Sequence, residues 1–235
     1  EPIPFFAEMG SLNPVIILPD VENLASHITV LVDSIIADAG QFCTKPGVIF
    51  CPSSLIEETI RIMNLRFNQT PCHPMLHPTI QNRYQTRLHE IQTTSVGTLH
   101  QGKADEFGAP QGFLHVSHIE FNTNKTLTQE VFGPFCILVE YLDMDPIEKT
   151  LSLLQGQLTT TIIGRNPQES KLYSIACSSA GRIILNGVPT GVSVVPAMHH
   201  GGPYPASSDS RFTAVGEASI LRFLRYVSVQ KSHGT

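Results

Sequence analysis

The sequence predicts an α/β domain with a largely parallel sheet. Short apolar runs alternate along the chain with segments of helical periodicity, joined by brief connections. Apolar residues make up 41% of the 235 residues and charged residues 15%, which supports a sizeable core and argues against disorder. Gly and Pro, 17 of each, punctuate the chain with turns. No internal repeat, low-complexity stretch or composition break divides it, so residues 1–235 are expected to form one domain.

In order, Pro14–Leu18 is a short apolar run and reads as a buried strand ending at Pro19. Asp20 is placed to cap a helix whose face is Leu24, Ile28, Leu31 and Ile35, with Gly40 as its stop. A loop, Gln41–Pro46, leads to a second strand, Gly47–Cys51. Ser54-Leu55-Ile56-Glu57 has the form of a capping box, followed by the stripe Ile56, Ile60, Met63. Three prolines keep 70–78 irregular, and Ile80, Tyr84, Leu88 and Ile91 mark another helix. Phe113–Ser117 and Phe135–Tyr141 read as strands. Asp145-Pro146 opens a helix continued by Ile147, Leu151 and Leu154. Thr160–Gly164 is a strand, Asn166-Pro167 opens the next helix, and Arg182–Leu185 is the strand after it. The tail from Ile220 to Gln230 reads as helix then strand.

Several classes of function fall away. A net charge of −5 and a pI near 6.0 disfavour a nucleic-acid binder. No apolar run approaches the ~20 residues of a membrane helix. Cysteines at 43, 51, 72, 136 and 177 form no C-x-x-C pair and read as reduced thiols of a cytoplasmic protein. Glu1–Phe5 lacks the basic region and cleavage site of a signal peptide. The first residue is Glu rather than Met, which suggests a piece of something longer. No G-x-G-x-x-G or P-loop is present.

Three residues stand out as candidates for chemistry. Cys43 lies in a helix-to-strand loop, with Lys45 near enough in sequence to favour its thiolate, and reads as a nucleophile or as a small buried hydrophobe. Glu8 sits in an otherwise apolar stretch before the first strand, as a general base or a solvated loop charge. Glu130 precedes Val131-Phe132-Gly133-Pro134, where a carboxylate can hold vicinal sugar hydroxyls and an aromatic can wall a flat ring; the alternative is a turn beside a core Phe. Cys72, His73 and His77 lack a fourth partner and standard zinc spacing, so no metal is expected. His199-His200 precede Gly201-Gly202-Pro203; one of them is a site residue, or the pair belongs to a turn.

Taken in order, these segments resemble the aldehyde dehydrogenase superfamily over essentially the whole chain. Glu8-Met9-Gly10-Ser11-Leu12-Asn13-Pro14 is similar to its E-L-G-G-K-x-P motif, Gly40-Gln41-Phe42-Cys43 to G-Q-x-C, and Glu130–Pro134 to E-x-F-G-P. Asn186, the Gly-rich loop and the tail fit its C-terminal pattern. Ser11-Leu12 departs from the common Gly-Lys. His199–Phe212 replaces the usual G-G-x-K-x-S-G-x-G-R-E; it resembles the branch of 2-oxoglutarate semialdehyde (2,5-dioxopentanoate) and NADP-linked fatty aldehyde dehydrogenases.

The resemblance implies a three-layer α/β/α catalytic domain. It implies Cys43 as nucleophile, forming a thiohemiacetal and then a thioester, and Glu8 as the base that activates water. The oxyanion would be held by the Cys43 N–H and an Asn from elsewhere in the enzyme. Glu130 and Phe132 would hold the nicotinamide ribose and nicotinamide of NAD or NADP. The partners implied are a small aldehyde, an N-terminal Rossmann-type cofactor domain missing from these residues, and a second copy of the chain, paired through the tail at about 220–230. Neither nucleic acid nor membrane is implied. Arg211 reads either as a partner for the carboxylate of a semialdehyde or as a solvated or structural loop residue. The competing readings are a cofactor-independent Cys esterase, using Glu8 or a loop His, and a catalytically silent truncated domain.

Overall fold

The computed structural model describes residues 3–102 and 108–231; Glu1 and Pro2, part of the N-terminal reading, lie outside it. The elements are β1 (Val15–Ile17), α1 (Leu24–Ile36), β2 (Val48–Pro52), α2 (Ser53–Gln69), α3 (Pro78–Thr94), β3 (Thr98–Gln101), β4 (Gly112–Ser117), α4 (His118–Thr123), β5 (Phe135–Tyr141), α5 (Met144–Leu153), β6 (Gln157–Ile163), α6 (Lys171–Ser179) and β7 (Ala180–Leu185). The strands form one sheet in the order β3-β4-β5-β2-β1-β6-β7. Every pairing is parallel except β3 with β4.

The central strands are apolar on both faces, as a sheet covered by helices on each side requires. Val15, Ile17, Ile49 and Cys51 point to one face, where they meet Ile28, Leu31 and Ile35 of α1 and Met63 and Phe67 of α2. Ile16, Phe50, Ile137 and Ile162 point to the other, against Tyr84, Leu88 and Ile91 of α3, Ile147 and Leu151 of α5, and Leu172 and Ala176 of α6. This is a three-layer α/β/α arrangement. Each fully buried aliphatic side chain contributes roughly 1.5–3 kcal/mol.

Two elements carry no sequence signal. β3 is a short, half-polar edge strand, held by the stacking of His100 on Phe113 at 4.5 Å. α4 is a helix of six residues whose cap, Ser117 Oγ, accepts from the Glu120 N–H at 3.2 Å.

The helix starts differ from the sequence reading where tertiary geometry overrides local pattern. Asp20 does not cap α1. Asn23 holds that position with φ 53°, while Asp20 Oδ1 accepts from the Arg165 N–H at 3.4 Å. The capping box at Ser54 and Glu57 is not formed, because α2 leaves β2 directly at Ser53, and Ser53 Oγ donates to the Tyr141 carbonyl at 2.9 Å. α5 begins at Met144 after Asp143, so Asp145 and Pro146 lie inside its first turn, where Pro costs no hydrogen bond. Pro167–Glu169 is a 3-10 turn, and the helix starts at Lys171 with Ser170 Oγ accepting from the Leu172 N–H at 3.2 Å. The tail forms a 3-10 turn over Glu217–Phe223, and 224–231 contains no strand. A strand needs a ladder partner, and these residues meet none among the described residues.

Candidate active site

Strands β5, β2 and β1 are neighbours and run parallel, so the segments that enter them arrive at the same edge of the sheet. Those segments carry Glu130–Pro134, Cys43–Gly47 and Glu8–Pro14. Topology alone therefore brings the three candidates together, at the strand-entry edge. Open α/β sheets more often place ligands at the opposite edge.

The 199–208 loop closes this edge from the side. Gly181 abuts the Gly201 carbonyl, Gly156 the Pro203 carbonyl and Gly202 the Gln157 carbonyl, so close that a Cβ at any of the three glycines would overlap the facing backbone. The loop is then stitched to the Glu8 segment. The Met9 N–H donates to Ala206 O at 2.8 Å, and the Ser208 N–H donates to Ala7 O at 2.9 Å. Thr213 Oγ1 accepts from the His200 N–H at 2.8 Å and sets the height of that residue.

The nucleophile loop is held from below by Asn13. This residue sits in the left-handed region (φ 49°), and its Nδ2 donates to the Cys43 carbonyl at 2.8 Å and the Lys45 carbonyl at 3.0 Å. Thr159 Oγ1 donates to Asn13 Oδ1 at 2.9 Å, and Gln157 Oε1 accepts from the Leu12 and Asn13 N–H groups at 2.8 and 3.1 Å. Gly40, with φ 68°, is more than a helix stop: its Cα lies against the Gly133 carbonyl, leaving no room for a side chain. Gly133 in turn packs on the Tyr84 ring. The G-Q-x-C and E-x-F-G-P segments are thus locked to each other by backbone contact.

Within this frame, Cys43 Sγ lies 3.4 Å from His200 Nε2, and His200 Nδ1 lies 3.0 Å from Glu8 Oε2. The second contact is close but off-axis, so Nδ1 has no aligned hydrogen-bond acceptor. The pKa of Cys43 is raised, first by burial and then by the Glu8 charge, with Glu130 adding to both; the N–H groups of Cys43 and Thr44 only partly offset this. The thiol is accordingly protonated at neutral pH and needs a base, and His200 Nε2 is in reach of its proton.

Lys45 does not act on the thiol. It is buried, its Nζ donates to the Phe135 carbonyl at 2.6 Å, and burial lowers its pKa to about 8. Glu130 lies against Gly10, whose missing side chain leaves space for its carboxylate. Burial raises the Glu130 pKa, and Lys45 opposes the shift. Glu130, Met9 and Gly10 line a cleft of about 740 Å³ that continues past Gln129 and Gln157. Phe132 is more than a third exposed. Arg211 is bound in a fork to Asp209 (2.9 and 2.6 Å) and is largely solvated. His77 caps α3, its Nδ1 accepting from the Thr79 N–H at 3.1 Å. Among the described residues no three metal-ligating side chains converge.

A profile of the aldehyde dehydrogenase family matches residues 3–226. The chain belongs to this family. It is 37% identical to alpha-ketoglutaric semialdehyde dehydrogenase of Acinetobacter baylyi over 99% of its length, and 35% identical to alpha-ketoglutaric semialdehyde dehydrogenase 2 of Azospirillum brasilense over 98%. It spans 46% of each of those relatives, less than half their length. Among solved structures, its fold is similar to a bifunctional proline utilization A protein (TM-score 0.78, 21% identity, 93% of this chain and 23% of that one). It is also similar to gamma-glutamyl-gamma-aminobutyraldehyde dehydrogenase from Burkholderia cenocepacia (TM-score 0.77, 15% identity, 92% and 45%). Both likenesses bear on the fold, that of an aldehyde dehydrogenase catalytic domain.

The structure brings Cys43, Glu8 and His200 into one cluster, and Glu130 into the adjoining cleft. Sequence reasoning left His200 open, because nothing local ties it to a thiol 157 positions away. It missed Asn13, whose role depends on a left-handed backbone inside a motif. It also missed Arg222, whose Nη2 lies 3.6 Å from Glu8 Oε1.

Proposed function

We propose that the protein oxidises an aldehyde to a carboxylate, with Cys43 as nucleophile, His200 as the base that takes the thiol proton, and Glu8 as the carboxylate that orients His200. The observation that carries this is the Cys43–His200–Glu8 run, 3.4 Å and then 3.0 Å. His200 Nε2 takes the thiol proton, and the sulfur adds to the aldehyde carbon to give a thiohemiacetal. Loss of a hydride from its carbon and of the proton from its hydroxyl, two electrons and two protons in all, gives a thioester on Cys43. Water then attacks it, its proton accepted by Glu8 or His200, which releases the acid and restores the thiol.

The cleft beside Glu130 fits the nicotinamide-ribose half of a dinucleotide. Gly10 leaves space there for a carboxylate that would hold ribose hydroxyls, and Phe132, two residues on from Glu130 in the chain, is partly exposed and would flank the nicotinamide. A nicotinamide cofactor bound there, NAD or NADP, would supply the electron acceptor. The relatives' names support 2-oxoglutarate semialdehyde as substrate, with the rest of the cofactor site on the part of such enzymes that this chain does not span. A homo-oligomer and a cytoplasmic setting complete the reading; no helix among the described residues is long and apolar enough to cross a membrane.

The test uses the protein as its gene encodes it. Aldehyde-dependent reduction of NAD or NADP should fall more than about a thousandfold in Cys43→Ser. An unchanged rate would sink the proposal. Ester turnover without cofactor and without aldehyde oxidation would replace it with a Cys-dependent esterase.

A further inference from the structure

Arg222 enters the site from the far end of the chain, out of the 3-10 turn Glu217–Phe223. Its neighbours in that turn face solvent: Ile220, Leu221 and Phe223 are all exposed, and Leu224 after them is too. The Arg222 side chain turns inward and is only 19% exposed. Its guanidinium lies over the Phe6 ring, 5.5 Å from the centroid, and Nη2 stands 3.6 Å from Glu8 Oε1. Stacking on an aromatic ring fixes the plane of a guanidinium at little further cost in entropy.

The polar atoms point the same way. Five buried side-chain nitrogens and oxygens among the described residues lack a hydrogen-bond partner. Two of them are Arg222 Nε and His200 Nδ1, which belong to the two basic side chains flanking Glu8. The apolar side chains of the turn stay outside, so the turn meets the site through Arg222, by its contacts with Phe6 and Glu8. The second contact sets a fixed positive charge against one oxygen of the Glu8 carboxylate.

We propose that Arg222 is a positioning residue that holds the Oε1 side of Glu8, so that Oε2 stays on His200 and the C-terminal turn becomes part of the active site. This rests on the assignment of Cys43, His200 and Glu8 above. The charged groups around Glu8 are His200, His199 and Arg222. Those around Cys43 are His200, Glu8, Glu130 and Arg182, the last drawn toward the carbonyls of Pro189 and Gly191. Glu8 acts against the thiolate, and Arg222 offsets that charge. Removing the guanidinium makes the thiolate harder to form.

The experiment is alkylation of Cys43 by iodoacetamide in the 235-residue chain, from below neutrality into the alkaline range. It is read by peptide mass, with the exposed Cys177 as internal reference. In Arg222→Met the Cys43 midpoint should move up by about half a pH unit or more, while Cys177 stays put. Arg222→Lys, which keeps the charge, should restore most of the shift. Arg222→Gln, which keeps a buried donor, serves if the Met variant does not fold. A purely structural role would lower the unfolding midpoint and leave the alkylation profile unmoved, and that outcome overturns the proposal. Failure of the underlying assignment looks different: Cys43 would then react like Cys177 in the parent chain and in His200→Gln alike, and the role of Arg222 would fall with it.

Discussion

Where β1, β2 and β5 end, the polar side chains are paired across the sheet. Tyr141 Oη donates to the Ile17 carbonyl at 2.6 Å, and Ser53 Oγ donates to the Tyr141 carbonyl at 2.9 Å, so three neighbouring strand ends are tied together. Where the same strands begin, the arrangement is the reverse. Burial shifts pKa values at both edges, raising Tyr141 and Cys51 at the exit and displacing Cys43, Lys45 and Glu130 at the entry, but at the entry His200 Nδ1 and Arg222 Nε have no aligned hydrogen-bond partner. The exit edge satisfies its polar groups and holds the fold. The entry edge leaves groups unsatisfied, and that is where a substrate would be handled.

The sharpest way to break this contrast is His200→Gln, which removes the base and leaves an uncharged side chain of similar reach. The rate of Cys43 acylation by an activated ester should fall by about a hundredfold or more, with little loss of folded protein in urea. A rate within a factor of two of the parent would mean that the thiol does not depend on this imidazole.

Next in size is a matched pair of variants. Asn13→Ala removes the donor to the Cys43 and Lys45 carbonyls, beneath the reactive loop. Each orphaned buried group costs about 1–3 kcal/mol, and acylation should slow as the loop loses its support. Tyr141→Phe removes one hydrogen bond at the exit edge and should cost about 1 kcal/mol with no change in rate. Urea unfolding and acylation kinetics on both variants decide the matter. Equal slowing by the two would erase the distinction between the edges.

The sheet was legible because its inner strands must be apolar on both faces, and runs such as Val15–Ile17 and Val48–Cys51 have no other use. The helix faces were legible from periodicity, as at Leu24, Ile28, Leu31 and Ile35. Helix starts were less so. Ser54 and Glu57 make a capping box on paper, yet the exit of β2 decides where α2 begins. β3 was missed because an edge strand needs only one good neighbour, and His100 stacked on Phe113 supplies a contact that no pattern within Thr98–Gln101 announces. In the site, Cys43, Glu8 and Glu130 each belong to a short motif. His200 and Arg222 reach Glu8 through long-range closure of the chain, which spacing in sequence does not encode.

The smallest expected effect concerns the direction of a pH dependence. Glu130 is buried against Gly10, and folding raises its pKa despite the opposing charge of Lys45. Between its unfolded and folded pKa values the folded chain binds more protons than the unfolded one, so its contribution to stability falls as pH rises through that window. The charged form of Glu130 therefore weakens the fold at neutral pH. Glu130→Gln removes the charge and keeps the size, so the variant should unfold at higher urea than the parent near neutral pH. The advantage should shrink toward zero as the solution is acidified below the ordinary carboxylate range. An exposed glutamate, or one paired at the exit edge, would show no gain or the opposite trend. Should the Gln variant be less stable at neutral pH, the carboxylate would be serving the fold, and the division of labour between the two edges would not hold at this residue.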